Sequence, residues 1–281
     1  MSSHDAVTVA GVRSPVIDLG PRSSEAVVFV HGNPGSSLDW EDLARDVVAF
    51  GRAVAIDMPG YGRADRPDGF DYTVHGYARH LDGALQQLGI LRAHLVLHDF
   101  GGPWGLAWAV SHPRQVASLT LINVGVMPDY RWHYLARLWR TPILGELFMA
   151  ATTRAGFRLL LTHGNPRGLP RAFVDRMFDQ FDAGTRRAVL RLYRSTSDFM
   201  AMANATRQSL GPLSLPVLVV WGACDPYVPV RYAEQQREVF PRADVKVLAD
   251  SGHWPFADNP EAVARAVIPF LRAQLARPAP T

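Results

Sequence analysis

The segment LVLHDFGG, from Leu95 to Gly102, places an aspartate where an apolar run meets a pair of glycines. The apolar run predicts a buried strand, and the glycines permit a sharp turn after it. A strand that ends in such a turn often presents a catalytic nucleophile, with its side chain exposed at the end of the strand. Asp99 is therefore the first candidate for chemistry, although a serine is the commoner residue at such a turn.

Three further turns with unusual residues follow predicted strands. They contain His31-Gly32-Asn33-Pro34, Trp221-Gly222-Ala223-Cys224-Asp225 and Ser251-Gly252-His253-Trp254. Asp99, Asp225 and His253 then stand in the chain order nucleophile, acid, histidine. Each of the three alone could be a turn former or a hydrogen-bonded loop residue. Their order along the chain and their common position in turns after predicted strands favour one catalytic triad. His31 and His98 are instead expected to shape their loops.

Strand and helix patterns alternate in the first half of the chain and again near its end. Strands are predicted at 26–32, 53–62, 94–102, 116–125, 216–222 and 244–250, and helices at 74–88, 102–113, from 230 and at 260–275. This alternation predicts an α/β fold with a mostly parallel, doubly wound sheet.

The segment 126–211 interrupts the alternation, because it is helical in pattern, aromatic and rich in arginine. We expect its arginines to lie on solvated helix faces. A helical block inserted between strands of one sheet predicts a cap over the edge where open α/β sheets bind ligands. The predicted division is a core domain of residues 1–125 and 212–281, and a helical cap domain of residues 126–211.

Composition limits the classes of partner. Hydrophobic residues make up 48% of the chain and charged residues 20%, the formal net charge is +3, and Cys224 is the single cysteine. No basic cluster with interleaved aromatics indicates a nucleic-acid partner, and no intrachain disulfide can form. No apolar stretch is long enough to span a membrane, and no secretory signal is evident. We expect a cytoplasmic monomer or homodimer without a metal or organic cofactor.

The four turn motifs, taken in this order, resemble those of the α/β-hydrolase superfamily over nearly the whole chain, including the inserted cap. Within that superfamily, HGNP and HDFGG are similar to the aspartate-nucleophile branch of epoxide hydrolases and haloalkane dehalogenases. Two residues depart from the pattern. Leu97 stands where a small residue is usual, and Phe100 stands where many members have a tryptophan.

An aspartate nucleophile suits attack on a saturated carbon, because a carboxylate forms an alkyl ester that water can cleave. A serine would form a stable ether, and an aspartate is already ionised at neutral pH. The resemblance implies that Asp99 attacks, that His253 activates water, and that Asp225 orients the imidazole. The backbone N–H groups of Asn33 and Phe100 would face the oxyanion. Asn123 ends a strand where some relatives place their acid, but it cannot ionise.

The leaving group distinguishes the two reactions of this branch. An opening epoxide leaves an alkoxide that needs a proton, whereas a halide needs only weak N–H donors. Tyr193, within Arg191-Leu192-Tyr193-Arg194, resembles the cap tyrosine that epoxide hydrolases place before the acid strand. A second cap donor is left open among three candidates, which are Tyr130, Tyr134 and Trp139.

Tyr193 and Phe100 together favour epoxide hydrolysis, because Phe100 removes the indole that dehalogenases commonly use. Asn33 could still bind a halide, so haloalkane dehalogenation is the alternative. A non-catalytic, ligand-binding homologue is a further alternative. The predicted substrate is a small, apolar organic molecule that reacts with water. The residues predicted to line its pocket are Trp132, Phe148, Met149, Phe157 and Trp254.

Overall fold

A computed structural model describes residues 6–277, and its strands form one eight-stranded sheet. The strands are β1 (Ala6–Val9), β2 (Val12–Leu19), β3 (Glu25–Val30), β4 (Ala53–Ile56), β5 (Arg92–His98), β6 (Val116–Ile122), β7 (Val217–Gly222) and β8 (Asp244–Leu248). Their spatial order is β1-β2-β4-β3-β5-β6-β7-β8, in which β2 runs antiparallel to both of its neighbours, β1 and β4, and the remaining pairs are parallel. The predicted mostly parallel, doubly wound sheet is confirmed.

The α-helices of the described residues cover both faces of this sheet and also form the insertion. They are α1 (Glu41–Val47), α2 (Val74–Gln87), α3 (Gly101–Ser111), α4 (Tyr134–Arg140), α5 (Leu144–Ala151), α6 (Arg154–Thr162), α7 (Arg171–Asp179), α8 (Ala183–Ser195), α9 (Phe199–Leu210), α10 (Arg231–Gln235), α11 (Pro255–Asp258) and α12 (Pro260–Leu275). Between residues 6 and 277, no helix combines the length and apolarity needed to cross a membrane.

Two apolar cores flank the sheet, and β3 shows how the sequence builds them. Val28 and Val30 pack into the core that includes α2 and α3, whereas Val27 and Phe29 pack into the core that includes α1 and α12. Successive side chains of a strand point to opposite faces. An uninterrupted apolar run is therefore what a parallel strand buried on both faces requires.

The hairpin of β1 and β2 was not predicted from the sequence. Pro15 and Asp18 interrupt the apolar pattern of β2, and both residue types are uncommon inside strands. Asp18 is buried there because Arg52 donates two hydrogen bonds of 2.9 Å to its carboxylate. The partner that permits this strand lies elsewhere in the chain, so a local pattern does not reveal it.

Helices α4 to α9 all lie between β6 and β7, as the predicted insertion requires. Several arginines of this segment bind backbone carbonyls rather than only facing solvent. Arg140 donates to the carbonyls of Tyr193 and Thr196, and Arg186 donates to that of Met149 at 2.8 Å. These guanidinium groups therefore join helices of the insertion. The domain boundaries remain a prediction, and the first five and last four residues of the predicted core domain lie outside the described residues.

The buried pair of Arg52 and Asp18 generates a prediction about stability. Replacing Arg52 with methionine leaves the Asp18 carboxylate buried without its cation. We expect the free energy of unfolding to fall by about 3–5 kcal/mol, measured by urea denaturation. The control is Arg45→Met, which removes an exposed pair with Glu41 and should cost less than about 1 kcal/mol. Equal losses in the two variants would contradict the role of the buried pair.

Candidate active site

The turn between β5 and α3 holds Asp99 in a conformation that few residues adopt. Its φ is 47°, in the left-handed region that Asp tolerates better than most side chains. Two glycines make room for this turn. A Cβ on Gly32 would lie 2.3 Å from the Asp99 Cβ, and one on Gly101 would lie 2.2 Å from the Val30 carbonyl oxygen. The turn therefore requires glycine at both positions.

Leu97, two positions before Asp99, has a structural explanation. A Cβ on Gly105 of α3 would lie only 2.4 Å from Cδ2 of Leu97. The glycine thus leaves the space that the larger side chain fills. Leu97 is fully buried in the core beside α3, so its departure from the usual pattern does not displace Asp99.

The three predicted triad residues lie together at the carboxyl edge of the sheet, on the loops that follow β5, β7 and β8. Nε2 of His253 is 3.5 Å from Oδ2 of Asp99, and its Nδ1 is 2.6 Å from Oδ2 of Asp225. The His253 and Asp225 side chains are buried, and that of Asp99 is 13% exposed. The imidazole therefore lies between two carboxylates and contacts each through a different nitrogen.

Backbone and side-chain donors hold Asp225 in place. Its Oδ1 accepts hydrogen bonds from the backbone N–H groups of Tyr227 at 2.7 Å and Val228 at 2.9 Å. Its Oδ2 accepts a bond of 2.7 Å from Nδ2 of Asn123, whose Oδ1 in turn accepts from the Gly222 N–H at 3.0 Å. Asn123 is therefore a positioning residue. Sequence reasoning excluded it as the acid but missed this role.

The two other loop histidines make structural hydrogen bonds. Nε2 of His98 donates to the His253 carbonyl at 2.8 Å, and burial lowers the pKa of His98 to about 3, so the ring is neutral. Nε2 of His31 accepts from the Met58 N–H at 3.0 Å, and its Nδ1 donates to the Gly32 carbonyl. Both rings shape the loops around Asp99.

The charges of the triad residues follow from burial and from their neighbours. Burial alone would lower the pKa of His253, but the adjacent carboxylates of Asp225 and Asp99 raise it to about 10. Burial would raise the pKa of Asp99, but its contact with the imidazolium and a backbone N–H lower it to about 2. At neutral pH the resting site therefore contains an imidazolium next to an ionised nucleophile.

Of the two predicted oxyanion donors, Asn33 already contacts the nucleophile. Its backbone N–H donates to Oδ1 of Asp99 at 2.6 Å, and its Nδ2 donates to the Tyr193 hydroxyl oxygen at 3.2 Å. The backbone N–H of Phe100 has no hydrogen-bond acceptor among residues 6–277. Both groups immediately flank the carboxylate, one on the β3 loop and one at the start of α3.

A cavity lies over Asp99, beneath the inserted helices. Its lining residues with polar side-chain groups include Asn33, Asp99, His133, Thr152, Tyr193, Tyr227 and His253. Four of the predicted pocket residues line it, namely Phe148, Met149, Phe157 and Trp254, with further apolar side chains that include Leu135, Leu160, Leu161 and Phe181. The cavity is therefore largely apolar. Sequence reasoning missed His133.

A second cavity meets the first at Asp99, and His133 and Tyr193 also line both. Trp132, which was predicted to line the substrate pocket, lines this second cavity and not the first. The ring of Trp132 stacks 6.3 Å from that of Phe100 and lies 5.2 Å from that of Tyr193. The irregular segment before α4 turns it to this side of the nucleophile.

The cap donors predicted from the sequence differ in whether their hydrogen is already bonded within the protein. Tyr193 is buried, and its burial and the charge of Asp99 raise the pKa of its phenol, which therefore keeps its proton. Within the described residues, that proton has no acceptor. Trp139 lines the main cavity, and its buried Nε1 has no partner among residues 6–277.

The two other candidate donors do not line the main cavity. Tyr130 uses its hydroxyl hydrogen in a 3.1 Å bond to the Tyr227 carbonyl. Tyr134 begins α4 with 51% of its surface exposed, and it lines neither cavity. The described residues, 6–277, also contain no group of three His, Cys, Asp or Glu side chains arranged to hold a metal ion.

Comparisons with known proteins agree with this geometry. Residues 25–260 match the family described as the alpha/beta hydrolase fold. The cis-3-alkyl-4-alkyloxetan-2-one decarboxylase of Xanthomonas campestris is 29% identical over 282 aligned residues, which cover 93% of each chain. The haloalkane dehalogenase of Mesorhizobium japonicum is 27% identical over 267 aligned residues, which cover 89% of this chain and 85% of that one.

Among solved structures, haloalkane dehalogenase DbeA from Bradyrhizobium elkani has a TM-score of 0.84 at 25% identity, with 96% of this chain and 98% of that one covered. These dehalogenase relatives fit the predicted aspartate-nucleophile branch, and the relatives as a group support a hydrolase. The family match alone spans most of the sequence. The chain therefore belongs to the α/β-hydrolase fold family.

Proposed function

We propose that this protein opens an apolar epoxide to a vicinal diol through an alkyl ester on Asp99. The observation that carries the proposal is the Tyr193 hydroxyl, which lines the same cavity as Asp99 and whose hydrogen has no acceptor in the described residues. An opening epoxide leaves an alkoxide, which requires a proton. A phenol can supply that proton, whereas a departing halide would not need it.

In the first step, the ionised Asp99 attacks a ring carbon while the carbon–oxygen bond breaks. The oxygen that leaves takes the proton of Tyr193. The Asn33 amide donates to the Tyr193 hydroxyl oxygen and so stabilises the phenolate that develops. No base is needed at this stage, because the pKa of Asp99 is about 2.

Ester formation prepares the second step electrostatically. The esterified Asp99 carries no charge, so one of the two carboxylates that raise the pKa of His253 is lost. The pKa of His253 then falls, so the imidazolium can give up its Nε2 proton, which restores the Tyr193 phenol, and act as a base. His253 takes a proton from water, which attacks the ester carbonyl. The N–H groups of Asn33 and Phe100 stabilise the oxyanion. The bond from that carbonyl carbon to the substrate oxygen then breaks, and the departing oxygen takes the proton of the new carboxyl group, which releases the diol and restores the Asp99 carboxylate beside the imidazolium.

Haloalkane dehalogenation is the second candidate, and a specific feature favours it. The buried indole N–H of Trp139 lines the main cavity without a partner in the described residues. The Asn33 amide lines the same cavity, and one of its two hydrogens is free of Tyr193. Weak N–H donors of this kind suit a halide, and two of the relatives named above are haloalkane dehalogenases.

The lining of the main cavity supports an apolar substrate, since most of its walls are aromatic and aliphatic. We expect aromatic or long-chain epoxides to react faster than small polar ones. The cytoplasmic location, the monomeric or homodimeric state and the lack of nucleic-acid and membrane partners remain predictions from the sequence.

Trapping the ester tests the proposed function directly. The His253→Gln variant lacks the base, so the Asp99 ester should accumulate and raise the intact mass of the protein. A gain equal to a whole epoxide supports epoxide opening, whereas a gain equal to a haloalkane minus hydrogen halide supports the alternative. The Asp99→Asn, His253→Gln double variant is the control and should gain nothing.

The panel for this experiment includes a cis-3,4-dialkyl oxetan-2-one, because the Xanthomonas relative is named for that ring. An adduct from the lactone alone would replace the epoxide as the substrate. If no compound adds to the folded protein, the catalytic proposal fails and a ligand-binding role takes its place.

Removing the Tyr193 hydroxyl separates the two leaving groups. In the His253→Gln background, Tyr193→Phe should slow ester formation from an epoxide by roughly 100- to 10,000-fold, as expected for loss of a general acid. Ester formation from a bromoalkane of the same chain length should change by less than about tenfold, because bromide needs no proton. The exposed Tyr134→Phe variant is the control. Equal slowing with both substrates would show that Tyr193 does not act as the acid.

The pKa of His253 should depend on the charge of Asp99. Asn at position 99 carries no charge, so the imidazolium loses one of its stabilising carboxylates and its pKa should fall below about 10. The pKa is measured from the imidazole resonances in an NMR pH titration. The exposed Asp42→Asn variant should leave it unchanged. An identical His253 pKa in the Asp99→Asn protein would contradict the coupling between ester formation and base activation.

A further inference from the structure

His133 is a half-buried, titratable residue that the two steps above do not use. It precedes α4 and lines both cavities at their junction, together with Asp99, Tyr193 and Tyr227. The centroid of its ring is 6.2 Å from that of Tyr193 and 5.0 Å from that of Tyr227, and both contacts are edge-on. The imidazole therefore belongs to the wall that faces the nucleophile.

The start of α4 determines which nitrogen of His133 carries hydrogen. Nδ1 accepts a hydrogen bond of 3.3 Å from the Ala136 N–H, as an N-cap residue does. The hydrogen of the neutral ring must then lie on Nε2. Burial lowers the pKa of His133 to about 4, so the ring is neutral at pH 7. Among residues 6–277, no group accepts the Nε2 hydrogen.

The other candidates for a second donor beside Tyr193 are placed differently from His133. Tyr130 is bonded to a carbonyl, and Tyr134 is exposed. Trp139 lines only the main cavity, among the apolar side chains, whereas His133 lines both cavities where they meet Asp99. An epoxide oxygen has two lone pairs and can accept two hydrogen bonds at once.

We propose that the Nε2–H of His133 donates a second hydrogen bond to the oxygen of the opening ring, beside the Tyr193 hydroxyl. This inference rests on the proposed function. The ring carbon–oxygen bond breaks, the electron pair stays on oxygen, and the proton of Tyr193 moves to it. His133 keeps its own proton and stabilises the negative charge that develops, as a neutral imidazole can.

The test measures the rate of ester formation in the His253→Gln background with a matched epoxide and bromoalkane. The His133→Ser variant removes Nε2–H while serine can still cap α4, and His133→Asn provides a second capping variant. Each should slow ester formation from the epoxide about 100-fold, the loss expected for one donor to a developing oxyanion. The rate with the bromoalkane should change by less than about threefold, since bromide needs little stabilisation.

His163→Ser is the matched control, because it makes the same substitution at an exposed histidine that lines neither cavity. It should leave the rate with the epoxide within about threefold, and Trp139→Phe is measured beside it because Trp139 is the other unpaired N–H donor of the main cavity. Equal slowing with both substrates in the His133 variants would overturn the inference and give His133 a structural role. An epoxide rate that falls in Trp139→Phe but not in the His133 variants would assign the donor to Trp139 instead. Absence of any epoxide ester before His133 is changed would overturn the proposed function together with this inference.

Discussion

A single imidazole stabilises two carboxylates, one buried and one only slightly exposed, and much of the site depends on this charge arrangement. A buried carboxylate is costly unless it is paired and hydrogen-bonded. His253 contacts Asp99 through one nitrogen and Asp225 through the other, and backbone N–H groups satisfy the remaining oxygens. The proposed chemistry uses this arrangement directly. Alkylation removes one negative charge, and the group that stabilised the nucleophile becomes available to activate water.

The sheet and the insertion supply different halves of the site. Parallel strands bring their carboxyl ends to one edge, so the loops after β5, β7 and β8 meet there. The insertion adds its donors from above, with Tyr193 on α8 and His133 before α4. Arg140 at the end of α4 binds the backbone carbonyl of Tyr193, which ties these two donors to each other through the guanidinium. Positioning of the donors therefore depends on contacts within the insertion.

The sequence predicted the parts that depend on local pattern. Apolar runs that end in glycine-rich turns located the parallel strands, and the order of Asp99, Asp225 and His253 along the chain predicted three side chains that lie together in the structure. The hairpin of β1 and β2 escaped prediction because its buried Asp18 depends on a distant arginine. The aromatic residues before α4 could not be told apart, because an irregular loop decides which of them faces Asp99. His133 gave no periodic signal, and its role becomes visible only from the hydrogen bond that caps α4.

The backbone at Asp99 also restricts how this site can evolve. A φ of 47° is tolerated by aspartate and asparagine, but side chains branched at Cβ are strongly strained there. Threonine, valine and isoleucine are thus excluded as intermediates in any mutational path through this position. The paths that remain pass through unbranched residues such as asparagine, glycine, serine or cysteine. A change of reaction type in this fold can therefore begin with one substitution at the nucleophile, while Gly32 and Gly101 stay fixed.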